Sequence, residues 1–237
     1  MKPWYTVCRK GREGARKAMN KNVYSLVLSE DVVAEIDRLA YRKNTNRSNM
    51  INQILAEYVS YTTPEKRMRE VFDRIEHVLT AEDAFQLLFQ PSDTMLSLRS
   101  ALAYKYNPTV RYAVELYRAG GEDVGELRVS LRTQNRTLLW YTARFFSLWA
   151  AAEARIAGIR GSVIEEGRFT RPLRLRRPEG SEQERMTGDT LGLLLASYIN
   201  CFDGALKEFF EDPDSPAAGT RIEERYLDWL RTQRCGV

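Results

Sequence analysis

The 237-residue chain holds a single histidine, His77, and three cysteines, Cys8, Cys201 and Cys235, none of them in a CxxC pair. Acid–base and nucleophile arrangements built on histidine therefore have almost no material to work with. No spacing of carboxylates singles out an alternative, so no enzymatic activity is expected. Cysteines this far apart argue against both a disulfide framework and a structural zinc site, and for a reducing compartment. No metal or other cofactor is expected. A long charge-free hydrophobic run is missing too. The most apolar stretch, "LLWYTARFFSLWAAAEARIAG" at 138–158, is interrupted by Arg144, Glu153 and Arg155, whereas a spanning helix needs roughly 20 nearly charge-free residues. It reads as a buried core helix. The basic N-terminus lacks the apolar core of a signal peptide. A cytoplasmic protein without membrane contact is the expectation.

What is present is an uneven charge. Residues 1–69 carry 14 Lys or Arg against 7 Asp or Glu, and the remainder carries 22 against 25. A basic front on a mildly acidic body suggests that the front meets a polyanion. The first 21 residues alone hold seven Lys or Arg and one acid, without periodicity. Residues 1–20 are expected to be a disordered basic arm that tracks phosphates. Lys10-Gly-Arg-Glu-Gly14 is also what a purine-rich ribosome-binding site would spell if translated, so Met1 and Met19 both stand as candidate starts.

The stretch "NVYSLVLSEDV", residues 22–32, changes character in its middle. Tyr24, Leu26 and Leu28 lie on one side of a strand and Val23, Ser25 and Val27 on the other. Ser29 then suits a helix N-cap, with Glu30 and Asp31 at the positive end of the dipole. Val32, Ile36, Leu39 and Ala40 recur on one helical face, and Asn44 suits a left-handed stop. A second helix follows, with Asn46 as its N-cap and Ile51, Ile54, Leu55 and Tyr58 on its apolar face. A lone strand cannot satisfy its own backbone, and two short helices make too small a core. A second copy solves both problems, by pairing two strands across a two-fold axis above four helices.

On these residues, Lys21 to Tyr61, the sequence resembles the ribbon-helix-helix family of Arc/MetJ-type DNA-binding proteins. The alternating strand running into a Ser-acid cap carries the resemblance, with the helix spacing and an Asn-Thr-Asn-Arg-Ser turn where the family commonly has Gly-x-Ser-x-Ser. It covers about a sixth of the chain. The resemblance implies an intertwined homodimer, open to higher assembly, whose paired strands enter the major groove of double-stranded DNA. Val23, Ser25 and Val27 would then face base edges, with Lys21 at the strand entrance. Asn46, Arg47 and Ser48 would hold phosphate at the N-terminus of the second helix. Two of the three groove-facing residues are valine where the family usually has hydrogen-bonding side chains. Base readout then leans on Ser25, on DNA shape and on phosphate contacts.

After this 21–62 unit, Thr63-Pro64 reads as a cap followed by proline at the first helical position. Met68, Val71, Phe72, Ile75 and Leu79 make a clean helical stripe beyond it. Period-two alternation over 84–133, clearest in Val110-x-Tyr112-x-Val114-x-Leu116 and Leu127-x-Val129-x-Leu131, predicts about four antiparallel strands, with a turn at Asn107-Pro108. Helices are expected at 135–157, at 187–210 and from a capping box at Thr220-x-x-Glu223. Residues 64–237 thus read as an α+β domain for sensing, partner binding or oligomerisation, with its protein or small-molecule partner unidentified. Two basic features stand out there. One sheet face carries Arg111, Arg128 and Arg132 near Tyr117; of its two readings, a surface for an anionic ligand or nucleic acid and a solvated polar face, the second is preferred. The run "RFTRPLRLRRPEG" reads as an exposed loop and makes Arg171, Arg174, Arg176 and Arg177 a candidate second nucleic-acid contact.

The expectation is a dimeric DNA-binding transcriptional regulator, a repressor by family habit. The alternatives are an accessory DNA-binding protein of a mobile element, in a relaxosome or partition complex, and an antitoxin-like partner-binding protein. An antitoxin's tail is usually short and disordered until bound, whereas this one reads as folded.

Overall fold

The computed structural model describes residues 25–59, 61, 63–81, 84–89, 94–105, 107–118, 123–174 and 187–233. The expected basic arm lies outside them. The described residues form an α+β structure with six helices and one six-stranded antiparallel sheet.

The first two helices are α1 (Glu30–Arg42) and α2 (Arg47–Tyr58). α1 ends where Asn44 takes a left-handed φ of 48°, the conformation that asparagine tolerates best after glycine. Between them they bury Ile36, Ala40, Met50 and Ala56, and the first three form a small cluster with Leu39 and Ile51 packed alongside.

α3 (Pro64–Thr80) opens as the sequence predicts, with Thr63 Oγ1 accepting from the Lys66 amide at 3.2 Å. Its stripe of Met68, Val71, Phe72, Ile75 and Leu79 is buried throughout. It docks on α5 (Gly188–Glu211), and two glycines a turn apart make the approach close. A Cβ at Gly192 would lie 2.6 Å from Arg74 Cβ and 2.8 Å from the Val71 carbonyl oxygen. One at Gly188 would meet the Arg67 carbonyl oxygen at 2.9 Å. The apolar stripe of α3 is thus covered by the body of the same chain.

The sheet begins as a meander of β1 (Phe85–Phe89), β2 (Met95–Ala101), β3 (Thr109–Leu116) and β4 (Asp123–Leu131). α4 (Arg136–Ile156) then crosses it, and a hairpin of β5 (Val163–Glu165) and β6 (Arg168–Arg174) returns beside β4, giving the order β1-β2-β3-β4-β6-β5. Four strands are therefore too few. The two missing ones lie in 163–174, part of which reads from sequence as an arginine-rich loop. Phe169, Arg171 and Leu173 alternate inward there, and the arginine among them disguises the period.

Leu96, Leu98, Val110, Tyr112, Val114, Leu127, Val129 and Phe169 face the helices and build one core with α3, α4, α5 and α6 (Ala218–Thr232). Its centre is aromatic, with Phe145, Phe146, Trp149 and Phe202 within 6.2 Å of one another centroid to centroid wherever their rings meet. Asp203 of α5 ties down the sheet from inside, accepting from Tyr112 Oη at 2.8 Å and Ser100 Oγ at 3.1 Å. α6 starts two residues before the predicted capping box. Ala217 is its cap residue and makes no side-chain cap bond, and Thr220 falls inside the first turn. Among the described residues no helix is long and apolar enough to cross a membrane.

Candidate nucleic-acid interface

Residues 25–29 lead into α1 with no strand partner among the described residues, and Ser29 has extended backbone. Val27 is fully exposed, as a groove-facing residue should be, and so is Ser25. Yet Leu26 and Leu28, on the side the alternation assigns to a core, are also open, Leu26 at 59%. Lys21 and Val23 lie outside the described residues. The helices continue the pattern. Val32, Ile54, Leu55 and Tyr58 are exposed, although all four belong to the faces the sequence marks as apolar. Among the described residues, ten of the fifteen large apolar side chains left exposed precede residue 62. Isolated surface apolar residues are normal, but a concentration of this kind marks a surface that something else covers.

The N-terminus of α2 is built as its sequence predicts. Asn46 caps it, its Oδ1 accepting from the Asn49 amide at 2.9 Å. The amides of Arg47 and Ser48, at the first two helical positions, have no intrahelical acceptor by geometry and point at solvent with the positive end of the helix dipole. Asn46, Arg47 and Ser48 are all open to solvent at least in part, Asn46 and Ser48 flanking an exposed Arg47. This is the arrangement that receives a phosphate.

Sequence reasoning missed one partner in this cluster. Arg47 is held by Asp37 of α1 in a two-pronged contact, Nε to Oδ1 at 2.7 Å and Nη2 to Oδ2 at 2.5 Å. The hydrogen bonds from Arg47, together with its charge, hold the Asp37 carboxyl below its ordinary value. The same contact raises Arg47 above its own. Both side chains are about half open to water, where such a pair contributes little to stability and is readily exchanged. The signal was present as an acid on the polar side of α1, but pairing across ten residues has no fixed spacing to search for.

The arginine run does not form the second contact expected of it. Arg171 is 0% exposed, on the inward side of β6. Its Nε donates to Glu153 Oε1 at 2.8 Å and its guanidinium lies 4.5 Å over the Tyr198 ring. A cation sealed between sheet and helices cannot reach a phosphate. Arg174 ends the strand exposed, paired with Asp123 at 2.6 Å, and Arg176 and Arg177 lie outside the described residues. On the open face of the sheet, Arg128 is flanked by Glu115 and Glu126, the latter also accepting from Tyr117. That part is the internally neutralised polar face preferred from sequence. Arg132 lies past the strand end, in an open groove of about 630 Å³ shared with Arg136, Leu139 and Glu166.

The chain matches no protein-family model, and neither a curated protein nor a solved structure matches it. Its function has to be read from its own residues. An exposed helix N-terminus bearing arginine and serine, next to a segment with no strand partner among the described residues, can bind phosphate and pair with another strand. Neither capacity needs bond-making chemistry.

Proposed function

We propose that the chain is a dimeric DNA-binding regulator of transcription of the ribbon-helix-helix type, most simply a repressor. In this reading residues 21–28 of two copies pair into a ribbon. The observation that carries it is the uncovered apolar side of the N-terminal unit. Leu26, Leu28, Val32 and Leu55 are all exposed in one chain, and among the described residues of that unit only Ile36, Ala40, Met50 and Ala56 are buried apolar residues. Four helices from two copies would close over them, and antiparallel pairing would satisfy the backbone of 25–29.

DNA is the partner that the charge favours, since the first 69 residues hold twice as many bases as acids. The capped N-terminus of α2 supplies phosphate contacts at Asn46, Arg47 and Ser48, while Ser25 and Val27 face the groove beside Lys21 and Val23. A two-fold protein reads a site of two-fold symmetry. The protein's own upstream DNA is the first duplex to try, compared with a scrambled duplex at two salt concentrations by fluorescence anisotropy. Binding that prefers the upstream duplex at physiological salt is the expected result. Equal and salt-sensitive binding to both, or none, would overturn sequence-specific regulation.

A further inference from the structure

On β3 and β4 the acids of the open sheet face gather at one end, where Glu115 and Glu126 balance Arg128. Toward the other end, the register lines up Gln86, Arg99, Arg111, Ser130 and Arg168 as one continuous row across β1, β2, β3, β4 and β6, which Glu165 of the edge strand β5 closes. Arg99 and Arg111 sit directly opposite one another, an arrangement that is unfavourable between like charges unless something offsets it. The contacts around them include neutral groups. Arg99 donates to Gln86 Oε1 at 3.0 and 2.7 Å, and Arg111 to Ser97 Oγ at 3.2 Å. Arg168 reaches Glu165 only at 3.6 Å, with both side chains more than half exposed, a pairing that water and salt largely cancel.

We propose that this row is a second DNA-phosphate contact, made by the body on duplex flanking the site held by the N-terminal unit. The proposal rests on the DNA-binding reading above. Five strands at about 4.8 Å spacing give a row of roughly 19 Å, the length of about six base pairs at 3.4 Å each. Every member can donate a hydrogen bond to a phosphate oxygen, three of them with a charge. The row carries no base-reading aromatic side chain, so it adds affinity without sequence preference. Only residues 59–63 separate α2 from α3 in sequence, a span of about 17 Å when extended. The body is thus tethered near any DNA that α2 touches, and a weak patch acts at high effective concentration.

The test uses the full chain and a duplex of its upstream DNA about 45 base pairs long, enough for a two-fold site with both flanks. Affinity is measured across a series of salt concentrations. The triple variant Arg99→Gln/Arg111→Gln/Arg168→Gln is compared with wild type and with the matching triple lysine variant. Removing one phosphate interaction makes the slope of log K against log salt shallower by about 0.9. For two protomers the glutamine variant is expected to be shallower by roughly 2 to 5, with an unchanged preference for upstream over scrambled duplex. The lysine variant, keeping the charge, should retain most of the wild-type slope. A glutamine variant that is folded and has the wild-type slope overturns this second contact while leaving the N-terminal reading intact. If wild type binds neither duplex at any salt, the DNA-binding reading falls and takes the arginine row with it.

Discussion

Ile36, Ala40 and Met50 are nearly all that α1 and α2 bury, while the body seals Trp149, Phe145, Phe146, Phe202, Tyr112 and Tyr198 inside a single core. The two regions solve the same problem differently. The body hides even a charged pair, Arg171 with Glu153, whereas the N-terminal unit leaves leucine and valine in water. A unit of about forty residues cannot remove enough apolar surface from solvent by itself, and the proposed dimer would let two copies share a core. The body, roughly four times that length, is large enough to stand without a partner. On the proposed reading each region draws its free energy from a different source: packing within one chain for the body, association for the N-terminal unit.

Breaking the body at its most enclosed charge should have the largest effect. Glu153 of α4 accepts from both Arg171 of β6 and Tyr198 of α5, and Tyr198 Oη in turn accepts from Trp149 Nε1 at 2.9 Å. Arg171→Ala strands the carboxylate, and about 3–5 kcal/mol of stability should disappear in a urea titration. The paired replacement Glu153→Leu with Arg171→Met should return most of it, since an apolar pair of similar volume avoids the cost of burying two charges. A change of a kcal/mol or less in the single variant would mean that water reaches the pair. Burial pushes the Glu153 carboxyl above its usual range despite Arg171 and the bond from Tyr198. The folded chain therefore keeps that proton where the unfolded chain releases it. The contribution of Glu153 is fullest below the ordinary glutamate range and declines as pH rises through the folded value. As pH rises above the ordinary glutamate value of about 4, stability relative to Glu153→Gln should fall, and a flat difference would contradict the assigned direction.

The N-terminal unit should break next, and by a different readout. Leu26→Asp places a charge on the side that two ribbons would share. Burying a leucine contributes about 1.5–3 kcal/mol, and two copies double this, so the dimer constant should weaken by a factor of about a hundred or more. Sedimentation across a concentration series would read that change, while the melting of the body should stay where it was. A wild-type chain that remains monomeric at every concentration would rule out the shared core.

Much of this division was legible in the sequence because capping and periodicity are local. Asn46 and Thr63 cap where they should, Asn44 turns left-handed, and the stripe of α3 is buried at every expected position. Alternation also exposed β3 and β4. The hairpin of β5 and β6 escaped because Arg171 occupies an inward position, and partners on other elements, Glu153 eighteen residues earlier and the Tyr198 ring among them, make an arginine tolerable there. The Asp37–Arg47 pair and the arginine row escaped for the same reason: cross-element registry has no signature in a single sequence. The candidate site was thus legible where a helix terminus defines it and illegible where two elements meet.

A subtler break concerns the seam at which α3 meets α5. Gly192→Ala would press a methyl group against the Val71 carbonyl and Arg74 Cβ, and α3 would have to shift on α5. Overpacking of this kind costs about 1–3 kcal/mol. Because α3 follows the N-terminal unit directly, the same variant tests whether the body's grip on α3 matters for DNA. The expected outcome is a lower melting temperature with unchanged affinity for a short duplex. Reduced affinity at full folding would mean that the two regions are coupled through α3.

The smallest expected effect separates the two regions most finely, because it asks whether an exposed charge in the N-terminal unit behaves unlike the buried one in the body. Asp37 occupies Arg47 through an open, half-hydrated contact, so removing the acid leaves nothing stranded. Asp37→Asn should cost the fold almost nothing and free the guanidinium for phosphate, strengthening binding to upstream and scrambled duplexes alike by a factor of a few, on the scale of one exposed ion pair. Arg47→Ala should weaken both alike, whereas a change at Ser25 should alter the preference between them. Anisotropy at a single low salt concentration suffices for all three. If Asp37→Asn instead weakens binding, the carboxylate is positioning Arg47 rather than competing for it, and the N-terminus of α2 meets phosphate with the pair intact.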